Sequence, residues 1–414
     1  MRDDAGLTES SGCGPSFPDT GQHAKPLRQQ VFEHVRAAGH ASRVDVARSL
    51  GISPGSVTTL TSDLIEAGFL TEVAAPARES GRGRPPVSLA VVPEARHVLG
   101  LRLSDELHTI SLSDFAGTEL ATASRPSQPT RYDTDGLLDE IGALIDMVME
   151  ETTLDRSNIS ALGIGLPGAV HHETGIVSWS PLLTGQDHGL QTLVEARFGL
   201  STYLENDANV LTLAELWFGS GRTRQDFAVV TIEQGVGMGL VLNNRLFRGA
   251  QGLGLELGHM KVQLDGALCR CGQRGCLEAY LADYALVREA STALDRNPRS
   301  AQTTAAMLES LFDQAKAGNG AARAIFQRAG RFLSVGLANV VQLFDPALII
   351  LSGARMRYDY LYAEEVLAEM QNMTLNPDAT RTRVEIHAWG DQVWARGATA
   401  LALGAVTDAL LGDK

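Results

Sequence analysis

Four residues in the second half of the chain carry the strongest chemical signal. His259, Cys269, Cys271 and Cys276 lie within HMKVQLDGALCRCGQRGCLE (259–278), a stretch that holds three of the chain's four cysteines. Three thiolates and one imidazole suit tetrahedral zinc, and Gly272 and Gly275 let the chain fold back between the ligands. The spacing Cys-X-Cys-X4-Cys is not that of a common zinc finger, so spacing alone leaves unrelated buried thiols as the competing reading. A disulfide scheme fits poorly, because three clustered cysteines leave one unpaired. Four protein ligands would close the coordination sphere and make the metal structural. Two carboxylates flank the cluster, Glu256 three residues before His259 and Glu278 two after Cys276. Carboxylates and an imidazole in a partly dry cleft can bind adjacent hydroxyls of a ligand; a glutamate that merely caps the knuckle is the plainer alternative.

The elements that must position these residues belong to a chain of 414 residues, enough for two or three domains. Hydrophobic residues make up 44% and charged residues 20%. No apolar run approaches the roughly 18 residues of a membrane span, which argues against a membrane partner. Residues 1–24 are rich in Gly, Ser, Asp and Pro and lack the apolar core of a secretion signal. They read as a disordered tail of a cytoplasmic protein, with Cys13 an incidental thiol. The net charge is −14, yet residues 25–92 hold eight Lys/Arg against six Asp/Glu. A slightly basic module therefore precedes an acidic body.

Within that module, Leu27, Val31, Val35 and Ala38 have helical spacing up to Gly39. Ser42 is a suitable N-cap for RVDVARSL, and Ser53-Pro54 supplies a cap and first-turn proline for PGSVTTLTSDLIEAG. Two short helices joined by LGIS make a helix-turn-helix. Strand-like FLTEVAA and PVSLAVV then bracket basic PARESGRGRPP, which completes a winged helix-turn-helix over residues 25–92. In such a unit Ser56, Thr58, Thr59 and Ser62 would reach DNA in the major groove, while Val57, Leu60, Leu64 and Ile65 face the core. Arg82 and Arg84, set among Gly81, Gly83 and Pro85, suit a narrow minor groove. Composition alone serves a solvated loop equally well, and small helical trios also dock proteins.

The body shows strand signals at HVLGLRLSDELHTISLSDFAGTEL, ALGIGLPGAV, FAVVTIEQGVGMGLVLNN and PALIILSG, with helical segments between them. This alternation predicts an α/β body of two lobes with a cleft. The expected first lobe covers 93–205, joined by a returning C-terminal helix within 391–414; the second, larger lobe covers 206–390 and carries the knuckle at 259–276.

LPGAV at 166–170, ENDAN at 205–209, ELGH at 256–259 and CRCGQRGC at 269–276 resemble the ROK family of sugar kinases and sugar-responsive repressors. The resemblance runs over residues 26–414 and implies a two-lobed actin-like ATPase fold behind the winged module. It also implies one structural zinc at His259, Cys269, Cys271 and Cys276, with sugar hydroxyls held by Asn206, Asp207, Glu256, His259 and Glu278. Asp207 matches the position of the kinase's catalytic base. The kinase's first phosphate loop, Asp-X-Gly-Gly-Thr, corresponds here to Arg102, Leu103, Ser104, Asp105 and Glu106. Side chains replace glycines, and two carboxylates face a polyanion. The second loop reads Glu233-Gln234-Gly235-Val236-Gly237 in place of Gly-Thr-Gly-X-Gly, and the third reads Ser352-Gly353 in place of Gly-Gly. Leu182 stands where many relatives have an asparagine in Ser-Pro-Asn-Leu.

These departures lead us to expect neither ATP binding nor an enzyme. The expectation is a repressor of carbohydrate-metabolism genes, sensing a sugar or sugar derivative and binding double-stranded operator DNA as a homodimer or homotetramer. An active ATP-dependent sugar kinase and a ligand-independent DNA-binding regulator are the alternatives.

Overall fold

The computed structural model describes residues 12–17, 25–74, 87–250, 252, 254–293, 303–353, 356, 358, 364–375 and 382–412. The chain opens with α1 (Leu27–Ala38), α2 (Arg43–Leu50), α3 (Pro54–Glu66), β1 (Leu70–Ala74) and β2 (Val87–Val91). There follow β3 (His97–Arg102), β4 (Leu107–Asp114), β5 (Glu119–Pro126), α4 (Thr134–Glu150), β6 (Ile159–Leu166), β7 (Ala169–His171) and β8 (Ile176–Trp179). Next come α5 (Leu190–Phe198), β9 (Ser201–Asn206), α6 (Asp207–Phe218), β10 (Phe227–Ile232), β11 (Val236–Leu242) and β12 (Arg245–Phe247). The remainder is α7 (Glu278–Leu281), α8 (Asp283–Ala293), α9 (Thr304–Lys316), α10 (Gly320–Phe344), β13 (Leu348–Ser352), α11 (Glu364–Asn372), β14 (Arg383–His387) and α12 (Gln392–Leu411). Two compact units result: Met1–Gln225 with Val241–Leu253 and Asp391–Lys414, and Asp226–Leu240 with Gly254–Gly390.

In the first unit the three N-terminal helices have the expected caps. Ser42 accepts from the amide of Asp45 and Ser53 from that of Ser56, while Gly39 and Gly51 leave their helices at positive φ. Val31, Val35, Val46, Val57 and Leu64 are fully buried between them, and β1 pairs antiparallel with β2 from Leu70↔Val91 to Ala74↔Val87. Phe32, Phe69 and Phe115 pack edge-on or tilted at centroid distances of 4.9 to 6.5 Å and join this module to the turn after β4.

Residues 12–17, expected from composition to be part of a disordered tail, are instead tied down. Cys13 donates its amide to the Arg36 carbonyl (3.1 Å) and its thiol to the Ala116 carbonyl (3.1 Å), and it is buried. The Gly14 amide donates to Trp217 and the Ser16 amide to Arg222, while Arg222 returns bonds to the carbonyls of Gly14 and Ala37. Backbone pairing with residues some 200 positions away leaves no local compositional trace.

The main sheet of this unit has the order β5-β4-β3-β6-β9, antiparallel on the β4 side of β3 and parallel from β3 to β9. Helix α12 lies on β3 and β6 at backbone distance. A Cβ at Gly100 would sit 2.2 Å from the Ala395 carbonyl oxygen, and one at Gly163 would sit 2.1 Å from that of Ala398. The glycines of VLGL and ALGIGL are thus required by helix-on-sheet packing. In the second unit β11, β10, β13 and β14 follow in that order, and β10 and β13 are parallel and buried throughout. Their unbroken apolar runs match strands covered on both faces.

Candidate functional site

The knuckle of the second unit is built from short-range backbone bonds. Glu256 precedes a single 3-10 turn, Leu257–His259, whose His259 amide donates to the Glu256 carbonyl (3.0 Å). The chain then folds into a tight hairpin. Gly272 (φ 85°) and Gly275 (φ 79°) take left-handed conformations, and the amides of Cys269, Gly272 and Gly275 donate to Gln273, Cys269 and Ala267.

This turn brings one ligand atom from each of His259, Cys269, Cys271 and Cys276 within 4.8 Å of the others. Cys271 Sγ and Cys276 Sγ are 3.7 Å apart, as are Cys269 Sγ and His259 Nδ1. A tetrahedron with metal–sulfur bonds of about 2.3 Å has edges of about 3.8 Å, so these two pairs already stand at ligand spacing. Burial pushes the Cys269 thiol above its ordinary range, and the nearby Glu278 carboxylate adds to the rise. A divalent cation reverses that preference by stabilising the thiolate. The His/Cys3 group thus has the donor types and the proximity of a cluster that could hold a metal ion.

His259 directs Nδ1 to the cluster and holds Nε2 4.0 Å from the exposed Glu256 carboxylate. Glu278 is turned inward. Its Oε1 accepts from Cys269 Sγ (3.4 Å) and the Tyr284 hydroxyl (3.3 Å), and its Oε2 from the Val236 amide (3.4 Å). Lys261, which sequence reasoning passed over, places Nζ 2.9 Å from Cys276 Sγ.

In the first unit Asn206 and Asp207 mark the junction of β9 and α6. Asn206 is the N-cap: Oδ1 accepts from the Ala208 amide (2.9 Å) and Nδ2 donates to the Gly168 carbonyl (3.0 Å). Glu205 and Asn209, the outer residues of ENDAN, are bonded to each other (2.9 Å), and Arg248 neutralises buried Glu205 at 2.5 Å. The motif is therefore a rigid cap that fixes Asp207 at a helix N-terminus. Burial raises the Asp207 carboxyl above the usual carboxylate range, opposed mainly by Arg102.

The residues at the three positions that correspond to phosphate loops make contacts within the protein. The Arg102 guanidinium lies 3.8 Å from the Trp394 ring centroid and 3.9 Å from the Asp391 carboxylate. Ser104 Oγ accepts from the amides of Glu106 (3.4 Å) and Leu107 (3.1 Å), and its own amide donates to His108 Nδ1 (3.1 Å). In the second loop the Val236 amide goes to Glu278 and the Gly237 amide to the Thr231 hydroxyl (3.2 Å). In the third, Gly353 adopts φ 114° against the Ile232 carbonyl, and Ser352 donates to His387. Leu182 is 3% exposed in the main core with Tyr132 and Leu183, so its side chain packs the fold.

On α3, Ser56, Thr58, Thr59 and Ser62 are exposed, while Val57 and Leu64 are buried and Leu60 and Ile65 partly so. Thr61 is fully buried and accepts from Arg43 Nε (3.0 Å), a core role that a hydroxyl among hydroxyls concealed. Arg82 and Arg84 lie outside the described residues.

The ROK family model matches residues 98–405, so the chain belongs to the ROK family. A xylose repressor of Caldicellulosiruptor bescii is 26% identical over 367 residues, which cover 87% of this chain and 91% of the repressor. A crystal structure of a ROK family transcriptional regulator, a homolog of the E. coli MLC protein, aligns with TM-score 0.76 and 25% identity over 93% of this chain and 96% of that one. A ROK family glucokinase from Streptomyces griseus, in complex with glucose and AMPPNP, aligns with TM-score 0.63 and 27% identity, covering 74% of this chain and 99% of the kinase. The kinase is matched end to end by three quarters of the chain; the regulator spans nearly all of it.

Proposed function

We propose that the chain is a DNA-binding repressor of carbohydrate-metabolism genes whose kinase-derived body senses a sugar and no longer transfers phosphate. One observation carries the reading: a helix-turn-helix precedes a ROK body in which Ser104 Oγ accepts from the amides of Glu106 and Leu107 in its first phosphate loop. Phosphate cradles depend on backbone N–H groups turned toward the anion, and here the loop's own hydroxyl takes them, with Asp105 and Glu106 adding exposed negative charge.

On this reading DNA is bound by Ser56, Thr58, Thr59 and Ser62 of α3, and by Arg82 and Arg84. The effector is held by hydroxyl contacts to Asn206, Asp207, Glu256, His259 and Glu278, with Asp207 an acceptor instead of a base. Zinc on His259, Cys269, Cys271 and Cys276 fixes the His259 ring through Nδ1 and leaves Nε2 toward Glu256. Three thiolates and Zn²⁺ sum to one negative charge, which the Lys261 ammonium 2.9 Å from Cys276 Sγ offsets. Two-fold operators call for a homodimer or a homotetramer in the cytoplasm. The named sugars of the relatives differ, xylose in one and glucose in another, so the effector's identity does not transfer.

Asp207 at the position of a kinase base favours a second reading, an active sugar kinase. An ATP-dependent phosphorylation assay on glucose and xylose separates the two: turnover at enzyme-like rates would overturn the repressor reading, and none is expected.

A further inference from the structure

We infer that α6 is a rigid shaft carrying effector occupancy to the DNA-binding helices, and that Arg36 bedded on Trp217 is its joint. The inference rests on the reading above that Asn206 and Asp207 hold the effector.

Helix α6 starts at those two residues and is buried along its whole length from Ala208 to Phe218. A helix packed on all sides shifts as a body, because close-packed interiors transmit displacement instead of absorbing it. Its far end is Trp217. There the guanidinium of Arg36, from the last turn of α1, lies 4.6 Å from the Trp217 ring centroid and 5.2 Å from that of Phe32. Arg36 is 2% exposed, donates from Nη1 to Thr407 Oγ1 (2.9 Å), and makes no hydrogen bond from Nε among the described residues. A buried cation that rests on a ring face and leaves Nε unbonded among the described residues is sensitive to where that ring stands.

The strap of residues 12–17 couples the same two ends through the backbone. Consecutive amides reach both helices, Cys13 donating to Arg36 of α1 and Gly14 to Trp217 of α6. Beside the joint lies a cavity of about 840 Å³ lined by Gln29, Glu33, Leu213, Trp217, Leu401 and Asp408, among others. That space lets α1 move relative to α6 and α12 without overpacking, as a two-position element requires.

The test uses the full-length chain and hydrogen–deuterium exchange of peptides covering 12–17 and 35–39. Gly165→Ala introduces a Cβ 2.6 Å from Val210 Cγ2 and so displaces the start of α6 without touching α1; Val210→Ile presses on the same contact should the first variant fail to fold. We expect exchange in both peptides to rise about tenfold, Arg36→Met alone to give the same rise, and the double variant to add nothing further. Unchanged exchange in the two peptides, or additive effects of the two substitutions, overturns the joint.

A second arm repeats the exchange with xylose and with glucose at concentrations saturating any shift in melting temperature. A sugar that binds should alter both peptides in the wild type and not in Arg36→Met; one that binds and leaves them unchanged overturns the joint. Where neither sugar binds, only the effector reading is weakened, and the Gly165→Ala comparison still decides the joint.

Discussion

Lowering the pH from 7 to 4 should loosen the closed phosphate-loop hairpin through His108. This imidazole is fully buried, accepts the Ser104 amide at Nδ1 (3.1 Å) and lies 3.2 Å from the Tyr132 hydroxyl at Nε2. Burial, aided by Arg125 and Arg102, lowers its pKa from the ordinary 6.5 to about 4. A group whose folded-state pKa is depressed contributes its full stability above the unfolded value, and that contribution drains away as pH falls toward the folded value. The window is therefore pH 6.5 to 4, and about 2.5 units at 1.36 kcal/mol each give a loss of about 3 kcal/mol by pH 4. Other groups titrate in the same range; Asp207, with a raised pKa, acts in the opposite sense. The comparison to make is thus with His108→Gln, which keeps an acceptor and a donor but does not titrate. Urea denaturation followed by tryptophan fluorescence reports mainly the first unit, which holds three of the four tryptophans, Trp179, Trp217 and Trp394, once Trp389 of the second unit is replaced by Phe in both proteins. Between pH 7 and 4 the wild type should lose about 3 kcal/mol more than His108→Gln. Parallel losses in the two proteins would refute a neutral, buried His108 holding the hairpin shut.

The metal centre gives a graded outcome: Cys276→Ser should abolish stoichiometric zinc, measured by elemental analysis, whereas Lys261→Met should keep the metal but weaken its affinity about 10- to 100-fold. Isothermal titration with ATP and magnesium should show no binding to the wild type, nor to Ser104→Gly alone, because Asp105 and Glu106 remain. Arg82→Ala and Arg84→Ala should each weaken binding to a duplex from the chain's own promoter region and reduce the slope of log K against log salt by about 0.9, read by fluorescence anisotropy across salt concentrations.

What the sequence made legible followed local rules. The caps at Ser42 and Ser53, the glycine exits at Gly39 and Gly51, and the knuckle's Cys and Gly positions are short-range signals, and each appears where its spacing put it. What escaped was non-local. Nothing in a Gly/Ser-rich tail announces that Cys13 will bond to Ala116, 103 positions away. Leu182 escaped for another reason: it stands where many relatives have an asparagine, while packing places it in the core, and nothing in the sequence signalled that Thr61 is buried too. The phosphate loop was legible as a substitution of glycines, but its closure by Ser104 and the stacking of Arg102 on Trp394 required the fold.

The central claim is tested most directly by fluorescence anisotropy of a duplex from the chain's own promoter region, titrated with the purified protein against a scrambled duplex, with and without each candidate sugar. The account predicts preferential binding of the promoter duplex and one sugar that shifts its affinity about 5- to 150-fold. Equal affinity for both duplexes, unmoved by any sugar, would contradict it.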